Sequence, residues 1–333
     1  MPRQLTGFKP TGPLQLGNYF GAIAPLARRR RDADTTAMIV DLHALTVEHD
    51  PAGLRRRTLE IAALLLAAGV GEDTDRLLVQ SHVPEHTELH YLLESAASYG
   101  EAHRMIQFKQ KAGSARERTR LSLLTYPVLM AADILLHDTD EVPVGADQSQ
   151  HVELARRMAY RFNRRYGDTF TIPAPVNPPV AARIMDLADP NRKMDKTNQS
   201  EAGVLYLLDP PGVLRRKINR ATTDSDGEVR YDPERKPGVS NLLEILAACV
   251  DGDPRRLASQ FDSYAPLKQA VGDAVVDRLA PLQRRHAELA ARPEKVLAAL
   301  RAGASHARQR AADTVARARS AVGLLIDDAP PTG

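Results

Sequence analysis

Residues 4–22 read QLTGFKPTGPLQLGNYFGA, and this stretch decides the fold. A short apolar segment breaks at Gly7, turns through Pro10, Thr11 and Gly12, and re-enters order at Leu16, Gly17 and Asn18. The pattern predicts a first β-strand, a loop tightened by Gly and Pro, and the N-terminus of a helix. Such a turn aims backbone N–H groups and a helix dipole at an anion above the sheet edge. Glycines 12 and 17 let a ligand approach the backbone without meeting a Cβ. A plain strand–loop–helix connection can carry the same glycines, so function rests on partner motifs further along.

The 333 residues suit one large domain, or a domain plus an appendage. Lys and Arg total 45 against 42 Asp and Glu, a net charge of +3. Any nucleic-acid surface must therefore be a local patch. One cysteine, Cys249, excludes an intramolecular disulfide framework and a Cys-cluster zinc site. No run approaches about 18 apolar residues and no signal-peptide pattern opens the chain, so a soluble, cytoplasmic protein without a membrane partner is expected.

Strand and helix then alternate. Residues 18–31 have helical character and end in the basic Arg28–Arg31, which reads as a solvated helix end. TAMIVD over 36–41 is a buried-type strand, with Leu42 and His43 after it. Residues 51–68 show helical periodicity through Leu54, Leu59, Ile61, Leu64 and Leu65, and 77–80 form a third strand. Helices are predicted over 86–98, 101–111 and 123–137, with a mobile polar loop over 112–120. EVPVG over 141–145 is a short strand that delivers Ala146, Asp147 and Gln148 to the sheet edge where ligands collect. A helix through His151, Leu154 and Met158 follows. Prolines 173, 175, 178, 179 and 190 make 171–192 a connector without long helix. Residues 203–322 read as helices without strands, the last over about 293–323. The fold class is α/β: a Rossmann-like, doubly wound parallel sheet with a helical appendage.

Asp133 is the one carboxylate in LLTYPVLMAADILLH, and burying it without a partner would be costly. It either caps neighbouring backbone or accepts a hydrogen bond from a ligand. Tyr126, Met130 and Asp133 recur at four and three residues and share a helical face if Pro127 lies in the first turn. A phenol, a polarizable thioether and a carboxylate suit a flat aromatic with a single N–H, as in indole.

Pro10-Thr11-Gly12, Gln15-Leu16-Gly17-Asn18 and Tyr19 resemble the HIGH-type signature of class I aminoacyl-tRNA synthetases, in the form used by bacterial tryptophanyl-tRNA synthetases. Lys193-Met194-Asp195-Lys196-Thr197 resembles their KMSKS loop. Two lysines bracketing a polar residue suit a pyrophosphate leaving group. A lone K-x-x-K is common on any surface, but this one follows the first motif in the family's order and separation. Asp195 and Thr197 replace two serines. Gln15 replaces the usual first His; it can donate to a phosphate but cannot take up a proton. The resemblance covers about residues 1–326, including VDLHALT, VPVGADQSQHVELARRMAYRFNRRYG, ARIMDL and KPGVSNLLEI.

The resemblance implies ATP with Mg2+ as substrate, no zinc and no organic cofactor, and L-tryptophan and tRNA(Trp) as partners of a homodimer. Asp133 would meet the indole nitrogen, Tyr126 and Gln148 the amino-acid head group. Leu5, Gly7, His43, Gln107, Met130, Val142 and Val144 would line or back the side-chain pocket. ATP would be contacted by Lys9, Pro10, Thr11, Gly17, Asn18, Gly145, Ala146, Asp147, Gln148, Ile184, Lys193, Met194, Asp195, Lys196 and Thr197. Lys111, a further phosphate-binding lysine, would join Asn18, Lys193 and Lys196 in catalysis. Residues 1–200 would be catalytic and 201–326 an anticodon-binding domain whose last helix packs back, with a flexible tail over 327–333. Arg215, Arg216, Lys217, Arg220 and Arg235 are candidates for tRNA. Two alternatives stand beside this reading. A tyrosyl-tRNA synthetase would want a polar group where apolar Met130 is. A synthetase-like copy that has lost charging, acting as a binding or regulatory protein, would explain Lys9, Gln15 and Asp195. Lys9, where the family usually has neutral glutamine, fits an inhibitor-tolerant second copy.

Overall fold

A computed structural model describes residues 1–28, 34–71, 76–103, 120–144, 149–176, 184–195 and 201–325. β1 (Arg3–Phe8) leads through the Pro/Gly loop into α1 (Leu16–Asn18), a π turn at Tyr19–Ile23 and α2 (Ala24–Arg28). β2 (Asp34–Ile39), α3 (Asp41–Ala44), α4 (Pro51–Ala67) and β3 (Leu77–Val79) follow. Asp50 caps α4 by accepting from the Ala52 and Gly53 amides, with Pro51 in the first turn. Next come α5 (Glu85–Ala96), α6 (Tyr99–His103), α7 (Leu121–Leu136), β4 (Glu141–Pro143), α8 (Ser149–Tyr166) and β5 (Ala174–Val176). The remainder is helical among the described residues: α9 (Pro211–Asn219), α10 (Pro237–Val250), α11 (Pro254–Ala258), α12 (Tyr264–Ala290) and α13 (Pro293–Ala321).

The five strands are parallel in the order β3-β2-β1-β4-β5. The chain winds outward from β1 through β2 to β3, then returns to place β4 on β1's other side. This reversal opens a crevice at the C-terminal ends of β1 and β4, after Phe8 and Pro143. Strand side chains alternate between two cores. Phe8, Ala37, Ile39, Leu77 and Val79 join one, with α4, α10 and α12; Leu5, Met38, Leu78 and Val142 join the other, with α5, α7 and α8.

α13 lies against edge strand β3. Ala304, Ala307, Ala311, Val315 and Ala318, spaced three and four residues apart, pack into the second core, while Val296 and Leu300 reach the first. Small side chains let this helix come close and cover an edge that would otherwise expose its ladder. Among the described residues no helix is long and apolar enough to cross a membrane.

Three local expectations are corrected. The connector over 171–192 contains β5, whose Pro175 is tolerated because it is the outer strand of the sheet. Pro127 is not in the first turn of its helix, since α7 begins at Leu121. The first helix is interrupted by the π turn at Tyr19–Ile23. The loop expected at 112–120 lies outside the described residues except for Arg120, which hydrogen-bonds Glu48 and the Leu45 carbonyl.

Candidate active site

At the end of β1 the loop closes by a Thr11 N–H bond to the Lys9 carbonyl (3.0 Å). Lys9 Nζ donates to Thr46 Oγ1 (3.2 Å), which donates to the His43 carbonyl (2.8 Å). The lysine is thereby tied to α3, which carries His43. Gln15 caps α1: its Oε1 accepts from the Gly17 amide, and Asn18 Oδ1 accepts from the Gln15 amide (3.0 Å). A Cβ on Gly17 would meet the Gln15 side-chain oxygen at 2.9 Å, so a larger residue there would displace the cap. Segment 204–207 braces the loop, with Leu16 N–H bonded to Leu205 O (2.9 Å) and Leu207 N–H to Leu14 O (3.0 Å).

The second signature is the far arm of a hairpin. Met185 bridges Lys193, Asp186 N–H bonds Arg192 O (2.8 Å), and Met194 N–H bonds Ile184 O (3.1 Å). Asp186 holds the turn by accepting from the Ala188 and Asp189 amides, and it leaves no room for a Cβ on Gly203. The side chains of Ile184 and Met194 are buried in the first core, so they anchor the hairpin to it. Lys193 and Asp195 are exposed. From the helical part, Asn241 grips Met185 by both its carbonyl (3.0 Å) and its amide (2.9 Å).

The other half of the crevice is built around Asp133, which is 3% exposed. Its Oδ2 takes His43 Nε2 at 2.9 Å and its Oδ1 accepts from Gln80 Nε2 at 2.7 Å. His86 Nδ1 lies 2.8 Å from Oδ1, near enough to pair but poorly aligned for a hydrogen bond. Burial would push the Asp133 carboxyl up; His43 and His86 together hold it well below the usual carboxylate range. The carboxylate is therefore charged in the fold, and its unused lone pairs can accept from one more donor. Behind it, His86 Nε2 meets His137 Nε2 at 3.2 Å. Burial and the facing His86 ring push the His137 pKa down to about 3. Arg317 of α13 holds Asp138 (2.8 Å), just beyond α7, and Arg308 holds the His82 carbonyl (2.9 Å) after Gln80.

Tyr126 sits on the same helical face as Asp133, since His43 touches both: its ring lies edge-on to Tyr126 at 6.2 Å. The Tyr126 hydroxyl pairs with His151 Nε2 (3.1 Å), and burial raises its pKa to about 12. Leu5 is buried in the second core with Val142, while Met130 and Val144 pack at its margin. Gly7, two residues along β1 from Leu5, is exposed and has Val40 Cγ1 3.2 Å from where a Cβ would lie. At Gly7 the strand therefore presents exposed backbone, with Val40 close against the space a side chain would need.

The Pro10–Asn18 loop meets Lys193–Asp195 through Gln15 and Met194, Tyr126 and Asp133 gather around His43, Leu5, Met130, Val142 and Val144 share the second core, and Lys9 links to the His43 helix through Thr46. Gln107, Lys111, Gly145, Ala146, Asp147, Gln148, Lys196 and Thr197 lie outside the described residues. Sequence reasoning missed Gln80, His86 and His137. Gln80 had one signal, a polar residue ending an apolar strand, where it is fully buried. Lys217, grouped above with the tRNA candidates, is turned inward to Asp209 (2.7 Å) and the Val204 carbonyl (2.8 Å).

A parallel sheet with its crevice at the strand reversal, flanked by a lysine- and glycine-bearing loop and a lysine-bearing hairpin, is the arrangement of a class I synthetase. A family model described as class I tRNA synthetases (W and Y) matches residues 2–279, and the chain belongs to that family. Within it the chain belongs with the bacterial tryptophanyl-tRNA synthetases. It is 54% identical to tryptophan–tRNA ligase 1 of Streptomyces coelicolor, over 98% of both chains. Of two such proteins in Streptomyces avermitilis it shares 53% with ligase 1 and 44% with ligase 2. Among solved structures, tryptophanyl-tRNA synthetase from Mycoplasma pneumoniae superposes with a TM-score of 0.88 at 36% identity, covering 98% of each chain. The enzyme from Campylobacter jejuni, complexed with ADP and tryptophan, gives 0.82 at 30% identity, covering 97% of this chain and 100% of that one.

Proposed function

We propose that the chain activates L-tryptophan with ATP and transfers it to tRNA(Trp). The observation that carries this is the buried, charged Asp133, held by His43 and Gln80 with a lone pair to spare. Indole is a donor-only heterocycle, and a carboxylate with a spare lone pair is its match. Met130 at the margin favours an apolar ring over a phenol, against the tyrosine alternative.

In the first step a tryptophan carboxylate oxygen attacks the ATP α-phosphorus in line. The new O–P bond forms as the bond to pyrophosphate breaks, leaving Trp-AMP. Magnesium enters with ATP and leaves with pyrophosphate. Lys193 and Lys196 offset the charge that develops on the leaving group, with Lys111 from the preceding segment. No side chain acts as nucleophile; orientation and charge carry the rate. A ribose hydroxyl of the tRNA terminal adenosine then attacks the acyl carbon and AMP departs.

Residues 1–200 serve catalysis and 201–326 the anticodon, with exposed Arg216, Arg220 and Arg235 meeting phosphates. The enzyme works in the cytoplasm as a homodimer; exposed Tyr91, Tyr99, Leu121 and Tyr160, on the mutually packed helices α5 to α8, support a buried self-association face. Greater similarity to ligase 1 than to ligase 2 of S. avermitilis supports a duplicated-copy type rather than a non-charging one. The test is charging of a tRNA(Trp) transcript with labelled tryptophan. Lys196→Ala should lower the rate of adenylate formation far more than ATP affinity, since the lysine acts as pyrophosphate leaves. A chain that binds tryptophan and ATP yet forms no adenylate would favour the regulatory reading.

A further inference from the structure

We infer that Gln15 is a positioning residue, a latch that joins the two signature loops and fixes the backbone at Met194, two residues before Lys196. The side chain is 5% exposed, so its polar atoms must find partners within the protein. Both do. Oε1 accepts from the Gly17 amide inside the first loop, while Nε2 donates to the Met194 carbonyl of the second at 2.8 Å, across 179 residues of sequence. The Met194 carbonyl immediately precedes Asp195 and Lys196. Its amide is fixed from the other side by Ile184 (3.1 Å), and its side chain is sunk in the core. The hairpin's near arm is gripped at Met185 by Asn241. Gln15 is therefore a contact by which the first loop holds the second at Met194.

The residue type fits this task. A primary amide accepts and donates at the same time, and no change of pH removes either function. Glutamate keeps the acceptor for Gly17 but cannot donate to Met194. Methionine keeps the length and loses both bonds. The amide that sequence comparison suggested as a phosphate donor is instead engaged between two loops.

This inference rests on the reading of Lys193 and Lys196 as the charges that meet pyrophosphate, and its test separates the two. Hydrogen–deuterium exchange is measured on the ligand-free full chain, followed by steady-state adenylate formation, for wild type, Gln15→Glu and Gln15→Met. The glutamate variant keeps the cap of α1 and guards against a general loss of fold, which circular dichroism checks. Amides of 184–195 should exchange faster in both variants, with those near Gly17 affected only in Gln15→Met. The rate constant for adenylate formation should fall on the order of 10–100-fold, as expected when a charge is misplaced by about an ångström. The tryptophan KM should hold. Unchanged exchange over 184–195 in folded Gln15→Met would overturn the latch. Faster exchange with an unchanged rate constant would overturn its positioning role. If wild type forms no adenylate at all, the proposed function fails, and the exchange result still decides the latch.

Discussion

His137 should make the tryptophan side of the fold sensitive to mild acid. Its ring is buried against His86, and its pKa is about 3. In the unfolded chain a histidine titrates near 6.5, so between pH 7 and pH 5 the unfolded state takes up a proton that the folded state refuses. A group whose folded pKa is depressed stabilises the fold fully above its unfolded pKa and loses that contribution as pH falls below it. Integrated from pH 7 to pH 5, this one ring removes about 2 kcal/mol. The result is insensitive to the folded value so long as that lies well below 5. Replacing the ring with glutamine removes this ring's share of the dependence and leaves that of other histidines such as half-buried His90 and His286. His137→Gln forfeits the contact with His86, about 1–2 kcal/mol at pH 7, and should draw level with wild type near pH 5. The assay is urea unfolding of both proteins at pH 7 and pH 5, at one protein concentration. Equal loss of stability in wild type and variant over that interval would refute the argument. So would an imidazole signal, absent from the variant, that titrates near 6.5 in the folded wild type.

Three further outcomes are expected. Asp133→Asn replaces one acceptor oxygen by a donor among His43, Gln80 and His86, and should raise the tryptophan KM by roughly 10–100-fold, the worth of one hydrogen bond to a charged group; an unchanged KM would remove Asp133 from recognition. Gly203→Ala drives a methyl into the Asp186 carboxylate that caps the second-loop hairpin, costing on the order of 1–3 kcal/mol by overpacking; equal thermal stability of the two proteins would contradict that packing. Lys9→Gln restores an acceptor beside Thr46 and α3, so inhibition constants of indole-bearing tryptophan analogues should fall while the tryptophan KM changes little. If both constants move together, or neither moves, Lys9 is not selective.

What the sequence made legible was what is local. The Pro/Gly punctuation after β1, the apolar runs of β2 and β3, and the lone carboxylate in α7 each carry their meaning within a few residues. Asp133 stood out because an apolar helix leaves a charge no other explanation than a partner. Its partners did not stand out: Gln80 and His86 lie about fifty residues away and meet it only through packing. The Gln15–Met194 contact joins two loops that sequence reasoning treated separately. β5 was hidden by prolines, which exclude helix but not the outer strand of a sheet. Pro127 misled in the opposite sense, since a helix held on both sides by α5 and α8 tolerates one missing hydrogen bond.

The central claim is that Asp133, with apolar Met130 one turn before it, selects an indole. The direct measurement is ATP–pyrophosphate exchange by the wild-type chain against each of the twenty amino acids. The account predicts exchange driven by tryptophan far above all others, with tyrosine weak; faster exchange with tyrosine, or none with tryptophan, would contradict it.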